Sequence, residues 1–470
     1  MEKNEKQRQR MLNMNIPRLV ITLGIPTIIS TLITNIYNMV DTYFVGTLGT
    51  AEQGAIGIVF TLQFILQAIA FTLGHGSGTY AAKYLAEKDH INASKYVSTA
   101  FFLSLLLGTI IAIIGLSFIN PLLYLLGSTD TILPFAREYC ICTLISGPLY
   151  IASMVLNNNL RYEGRAIFAM VGLVSGALLN ILGDFLFVSV FHLGVLGAGL
   201  STAISQTVSF IILLVMYFTK ATGSIKLKLF STEILDYFLI IRAGFPSFLR
   251  NALMAISSGV LNQYARMVGE IYVIENGVEV LVSNADRNIA AMSIASRYTS
   301  LISCIGMGLG QGFQPVSAFN YSVGKYRRVK QALLFTIAFG MLLVFSFSLP
   351  GIINPRMIAW LFNKDNEVIT LASIAIRYAS IFLVLSPINI VTNMLYQSIR
   401  KSEVASLLSM LRSGIILIPT IIILYSMGLG FNGIALSTPI ADAISAVISI
   451  PFIIYFVLKV KNEEEIQILN

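Results

Sequence analysis

Charge is scarce in this chain: 11% of its 470 residues are Asp, Glu, Lys or Arg, against about 25% in an ordinary soluble domain. Hydrophobic residues make up 56%, more than a soluble fold of this length can hide in one core. A soluble enzyme, a secreted module and a disordered chain are thereby excluded. Histidine is also rare. His75, His90 and His192 are isolated, and there is no H-E-x-x-H or G-x-S-x-G element, which argues against a membrane-embedded enzyme. Of three cysteines, Cys140 and Cys142 form C-x-C, which sends side chains to opposite flanks of a helix and reads as apolar packing rather than a metal site. The net charge of +8 lies in short loops rather than on one soluble face, so it speaks for membrane orientation and against nucleic acid.

What the chain has in abundance is long apolar runs. They fall at 17–40, 53–79, 97–118, 136–159, 166–190, 197–218, 237–263, 289–313, 331–353, 368–396, 404–426 and 433–458. Each is long enough to cross a bilayer, and helices are the economical way to satisfy backbone polar groups there. The fold class expected is an all-α membrane protein with twelve transmembrane helices in two pseudo-symmetric six-helix lobes. The first run follows a polar, basic stretch and is itself long enough to span, so it does not read as a cleaved signal. Twelve crossings put both termini on one side. The connections on that side carry 22 Lys and Arg, the opposite ones five, and four lie within spans. This asymmetry places both termini in the cytoplasm. Trp360, the single tryptophan, falls in an outer connection where interfacial anchoring or ordinary packing would suit it.

The sequence repeats itself. Gly24-Ile-Pro26 recurs as Gly244-Phe-Pro246, and Gly74-His-Gly-Ser-Gly78 as Gly308-Leu-Gly-Gln-Gly312. Asn120-Pro121 matches Asn354-Pro355; Tyr139, Pro148 and Arg161 match Tyr378, Pro387 and Arg400; and Gly197–Thr202 matches Gly433–Thr438. Six spans per copy give both copies one orientation, hence parallel repeats with a cleft between them. The lobes are expected at 1–218 and 237–470, joined by a cytoplasmic linker at 219–236. Pro26 and Pro246 can bend the first helix of each lobe.

Ionisable groups inside spans are costly and mark function by default. Asp41 follows Asn35 and Asn38 in a polar stripe of span one, and Asp184 lies one turn after Asn180 in span five. Thr202 and Gln206 in span six, and Ser153 and Asn157 in span four, repeat the spacing. Meeting at a lobe centre, these oxygens would suit Na⁺, or protons on the carboxylates; the alternative is a helix-packing hydrogen-bond network. The second lobe lacks both acids. It offers Asn389, Asn393 and Gln397 on one flank of span ten, with Arg250, Arg297 and Asp442 inside spans. Asp442 is a possible counter-charge for one arginine. Asn38, Gln206, Arg250, Asn389, Asn393 and Gln397 are candidates to line a substrate cleft.

At these residues the chain resembles the MATE family of multidrug and toxic-compound exporters, over nearly its whole length. The resemblance rests on Val40–Gly46 (V-D-x-x-x-V-G), the Asn180/Asp184 pair followed by Gly197–Thr202, and Arg161 with Gly164. Gly244–Asn251 and Gly308–Pro315 look like the bacterial branch that includes staphylococcal drug pumps. It implies antiport: export of cationic, amphipathic drugs or toxins from a bacterial or archaeal plasma membrane, the inner membrane where there are two, in exchange for H⁺ or Na⁺, by a monomer with no covalent cofactor. It further implies that Asp41, Asn157, Asn180, Asp184 and Thr202 form the coupling site, with Na⁺ at Asp41, Asn180 and Asp184 where that is the ion. Leu249-Arg250-Asn251 stands where some members carry an acid, which counts against a second-lobe Na⁺ site. The rival is a flippase for lipid-linked oligosaccharides of the same superfamily, for which Arg250, Arg297, Arg377 and Arg412 would supply a cationic cleft. The outer connection 267–288, with Glu270, Glu275, Glu279 and Asp286, reads as a solvated loop, or else as a place where cations are captured at the exit.

Overall fold

The computed structural model describes residues 2–221, 225, 227, 230–275, 278–283 and 285–469. Every apolar run is helical, because lipid offers no partner to an open backbone N–H or C=O. α1 (Glu2–Asn13) precedes the spans. The first lobe follows as α2 (Ile16–Gly46), α3 (Thr50–Ala86), α4 (His90–Ser117), the short α5 (Ile119–Leu125), α6 (Leu133–Tyr162), α7 (Ala166–Asp184) and α8 (Gly194–Met216). The second begins with α9 (Ile234–Gly269), the strands β1 (Glu270–Glu275) and β2 (Val278–Ser283), and α10 (Ala285–Ser322). It continues through α11 (Tyr326–Ile353), the short α12 (Pro355–Phe362), α13 (Asn366–Leu383) with α14 (Ser386–Ser398), α15 (Ser402–Met410) with α16 (Leu417–Ser426), and α17 (Gly430–Leu469).

Among the described residues eleven helices are long and apolar enough to cross a membrane. The twelfth crossing, α10, is 38 residues long and more polar. The tenth run is broken into α13 and α14, with Pro387 in the first turn of α14, where a missing N–H costs nothing. The Asn-Pro pairs mark the short helices after the third and ninth crossings; Asn354 caps α12 by accepting from the Met357 N–H at 3.2 Å. The connection 267–288 is not simply a solvated loop: its β-branched runs pair as an antiparallel hairpin, Glu270 opposite Ser283 and Glu275 opposite Val278. The side chains of Glu270, Glu275 and Glu279 lie outside the described ones, and Asp286 is exposed.

Backbone geometry corrects one repeat match. In the turn after α6, Gly164 (φ +77°) donates to Arg161 O and Arg165 to Leu160 O. In the turn after α14, Arg400 (φ +65°) donates to Gln397 O and Lys401 to Tyr396 O. The motifs coincide when Gly164 is laid on Arg400, so the counterpart of Arg161 is Gln397 and not Arg400. The segment from Pro387 to its turn is three residues shorter than that from Pro148.

The repeated glycines form the seam between lobes. α3 packs on α9 and α2 on α10, with backbones so close that side chains are excluded. A Cβ at Gly244 would lie 1.8 Å from Thr72 O, and one at Gly76 2.0 Å from Ile240 O. On the other side of the pseudo-axis, a Cβ at Gly312 would lie 2.5 Å from Gly24 Cα and one at Gly308 2.6 Å from Ile28 Cα. Small residues let helices in lipid gain dispersion contacts that bulkier ones forfeit. All four contacts sit in the half of the bundle that carries the chain termini. In the far half, α9 loosens: Met254 and Ile256 are 45% and 56% exposed.

α1 straps the two lobes together at that closed end. Gln7 donates to Gly164 O at 2.9 Å and Arg8 to Ala86 O at 2.8 Å, both in the first lobe. From the second lobe, Asn320 donates to Met11 O, Lys325 to Leu12 O and Arg328 to Met14 O. These donors occupy carbonyls that a helix end leaves free, and two of them bring the positive charge that a helix C-terminus favours. Beside the strap, Glu163 is 3% exposed, and its carboxylate lies 3.6 Å from Arg165 Nε. Burial pushes its carboxyl up to about 8, although Arg165 pulls the other way.

Two outcomes follow. Gly244→Leu is expected to hold the seam apart, so that a cysteine placed at the buried Thr72 becomes reactive to a permeant maleimide; the three native cysteines are buried and give little background. For Glu163, the folded carboxyl stays protonated up to about pH 8, whereas the unfolded one ionises above its ordinary 4.5. Stability is therefore greatest at low pH and falls as pH rises through that window. The thermal midpoint in detergent should drop between about pH 5 and pH 8 more steeply for wild type than for Glu163→Gln.

Candidate functional site

Asp41 and Asp184 come together inside the first lobe, 1% and 0% exposed. Asp41 stands near the far end of α2. Its Oδ2 accepts from the Tyr139 hydroxyl at 2.8 Å, and Tyr139 also meets Thr202 Oγ1 at 3.1 Å. Asn180 Nδ2 donates to Thr202 Oγ1 at 3.2 Å and to Ser201 Oγ at 3.3 Å, and Ser201 Oγ donates back to Asn180 O at 2.9 Å. Four helices, α2, α6, α7 and α8, thus converge. Asp184 is the last residue of α7 before a π-helical turn, Phe185–Val190; such turns recur at functional sites.

Donors run out before acceptors do. Asp41 Oδ1, Asn180 Oδ1 and both carboxylate oxygens of Asp184 are buried without a hydrogen-bond partner. Ser201 lies beside Asp184 but spends its proton on Asn180 O. Asp184 also acts on Asp41 through space, as like charge on like. Two ionised carboxylates served by one phenol would be strongly uphill in a lipid-surrounded interior. Four orphan oxygens therefore fit a cation, either a proton on a carboxylate or a hard, oxygen-seeking ion such as Na⁺. Among the described residues no group of three His, Cys, Asp or Glu could hold a metal ion, so a transition-metal centre is not what this site resembles. Next to Asn180 lies a cavity of about 30 Å³, lined by Tyr37, Tyr150, Ser153, Ser205 and Gln206 among others, enough for a water.

Other expected members lie elsewhere. Asn157 donates to Ala169 O at 2.7 Å, at the opposite end of α7. It is eighteen residues along α6 from Tyr139, about 27 Å of helix, and does not join the cluster. The stripe of span one also splits. Asn35 faces α10, bonding Cys304 Sγ and Ser300 Oγ, while Asp41 faces its own lobe; six residues turn a helix to a face about 120° away. Asn38 is half-buried between them. Gln206 accepts from Ser146 at 3.0 Å and borders the cavity. Tyr139 and Ser201 complete the cluster and were not singled out for it. Tyr139 stood out in the sequence only as a repeat mate of Tyr378.

In the second lobe, span ten is sewn into its surroundings rather than lining an opening. Asn389 donates to Ser449 Oγ at 3.1 Å, Asn393 to Ser409 Oγ at 2.7 Å and Ala405 O, and Gln397 to Ser247 Oγ at 2.8 Å. Asp442 is bound by Arg412, from a π-helical turn at Leu411–Ile415. Asp442 occupies the repeat position of Gln206, so at that position the second lobe carries an acid neutralised from within the lobe. Of the other arginines proposed to make a cationic cleft, Arg297 and Arg377 are exposed and only Arg250 faces the seam.

The MatE family model matches residues 26–186 and 279–423. The chain is 26% identical over 443 residues to the multidrug export protein MepA of Staphylococcus haemolyticus (strain JCSC1435), covering 92% of each chain. It is 27% identical over 429 residues to MepA of Staphylococcus aureus (strain NCTC 8325 / PS 47), covering 90% of each. Its fold matches the outward-facing conformation of a multidrug resistance MATE family transporter of the MOP superfamily, with TM-score 0.88 and 24% identity over 97% of this chain and 98% of that one. A MATE structure in a bent conformation matches with TM-score 0.85 and 24% identity over 99% of both chains. More than half the chain is covered by the family model, and it belongs to the MatE family: a multi-pass membrane transporter, not an enzyme.

Proposed function

We propose that this chain is an antiporter that exports amphipathic cationic drugs or toxins in exchange for inward H⁺ or Na⁺, in the plasma membrane of a bacterium or archaeon. Both termini are cytoplasmic, by the Lys and Arg asymmetry, so the glycine seam closes the cytoplasmic side and the loosened half faces out. The lobes are residues 1–218 and 237–470, and the chain works as a monomer, since the four helices that build the cluster belong to one lobe of one chain. The observation that carries the reading is the group of buried acceptors without donors at Asp41, Asn180 and Asp184. The names of the staphylococcal relatives support the substrate class.

The coupling ion enters from outside and discharges the carboxylates. α2 carries Asp41 at one end and Gly24 and Pro26, at the seam, toward the other, about 25 Å away along the helix. Relieving repulsion at Asp41 lets α2 change its bend at Pro26 and release α10. The ion drives this only to the extent that it binds the two conformations unequally. A potential of 100 mV adds about 2.3 kcal/mol per charge moved. Export would follow when the seam, loaded with substrate from inside, closes again. Tyr139 orients the Asp41 carboxylate and is a positioning residue.

Dye efflux from proteoliposomes under separately imposed Na⁺ and pH gradients tests this. Asp41→Asn and Asp184→Asn should each lower ion-driven efflux at least about tenfold with the thermal midpoint unchanged or raised, since each removes a buried charge. Wild-type efflux in either variant, or no response to both gradients in wild type, would sink the reading. Tyr139→Phe is expected to shift the pH profile of efflux while leaving dye affinity alone.

A further inference from the structure

The seam holds more positive charge than antiport of a cation needs. Arg161, in the last turn of α6, is 6% exposed. It donates to Asn158 Oδ1 at 2.5 Å and, across the seam, to Gln311 Oε1. Arg250 on α9 makes one bond, at 3.3 Å, to Asn393 Oδ1, and its Nε is buried with no acceptor. Both guanidiniums act on His75. The ring Nδ1 of His75 meets Ser247 Oγ at 2.7 Å, while Nε2 turns toward Asn158 without closing a bond. The buried Tyr162 hydroxyl, edge-on to His75, also has no partner.

Among the described residues neither arginine has a carboxylate partner. Among the described residues the buried acids outside the Asp41/Asp184 pair are engaged elsewhere: Asp236 with Lys95, Glu163 with Arg165 and Asp442 with Arg412. A guanidinium carries five N–H donors and cannot discharge itself by losing a proton, so two of them at a packed seam without a counter-ion call for an anion. Three helices from both lobes, α3, α6 and α9, aim unfilled polar groups at one region. Arg250 is half-buried, one turn beyond the buried Ser247 and one before the exposed Met254. It stands where the packed seam gives way to the more exposed half of α9, the side on which an opening between the lobes would lie.

We propose that Arg161 and Arg250, with His75 and Tyr162, form a receptor for an oxyanion, a carboxylate or phosphate, carried by the transported amphiphile. The planar fork of each guanidinium matches such a group. This rests on the export reading and narrows it: the favoured cargo is zwitterionic, its oxyanion seated on the arginines and its cationic, apolar body in the opening above.

The test is equilibrium binding of one carboxyrhodamine dye, as free acid and as methyl ester, to the purified full chain, read by fluorescence anisotropy with no gradient. The free acid should bind at least about fivefold more tightly than the ester. Arg250→Gln should abolish that preference, and Arg250→Lys should keep part of it. Equal affinities in wild type, or a preference that survives Arg250→Gln, would overturn the assignment, and the wild-type comparison decides even where a variant does not fold. A large excess of inorganic phosphate should narrow the acid's advantage and leave the ester's binding in place; an advantage that phosphate does not touch would overturn the oxyanion receptor, and loss of the ester as well would overturn the amphiphile as its carrier. Because no gradient is applied, a protein that prefers the acid yet responds to neither Na⁺ nor pH in liposomes would defeat the antiport reading alone.

Discussion

Two buried carboxylates with a single hydroxyl donor to serve them, that of Tyr139 on Asp41, set the terms for the whole molecule. Asp41 has one donor, Asp184 has none, and neither reaches solvent. A pair of that kind is costly to bury unless a proton or another cation balances it. Asp41 rides on α2, the helix that also packs against α10, so the pair and the junction of the lobes share one element. In the second lobe the buried Asp442 is matched by Arg412 instead.

The junction itself is a band of close backbone contact. Gly24, Gly76, Gly244, Gly308 and Gly312 bring backbones into contact over a narrow band, where attraction is many small dispersion terms with no interlocking side chains to disengage. Polar bonds across it, such as His75 to Ser247 and Arg161 to Gln311, add direction. The N-terminal strap then ties both lobes, donating from Gln7 and Arg8 to the first and accepting from the second at the carbonyls of Met11, Leu12 and Met14. Opening this end must break those bonds as well, so the strap weights the balance toward the closed-seam state seen here.

Much of this was legible in the chain. All twelve runs became helical, because apolar length and the need to satisfy the backbone leave one solution in lipid, though α3, α10 and α17 run on well past their apolar stretches, to Ala86, Ser322 and Leu469. The glycine and proline repeats found their physical role as the seam. The Asp41, Asn180, Asp184 and Thr202 grouping was legible as well, since polar residues one turn apart in apolar helices have few places to go except toward each other. Less legible were partners contributed by distant segments. Tyr139 looks like any tyrosine in an apolar run until α6 is laid beside α2. Asn157 has the right residue type and spacing, yet it bonds the opposite end of α7, three turns of helix from Asn180. The hairpin at 270–283 hid in a stretch whose acidic residues suggested a loop.

Sequence alone determined the solvent, the number of crossings, the internal duplication and the burial of two acids in the first lobe, because each follows from composition and local periodicity. Only the tertiary structure decided which oxygens lack donors, that Asp442 is neutralised while Arg161 and Arg250 are not, and that Gln397 rather than Arg400 corresponds to Arg161. Those outcomes depend on which face of each helix meets which neighbour. A rotation of one turn, or three residues fewer before a turn, exchanges one partner for another without altering the pattern along the chain.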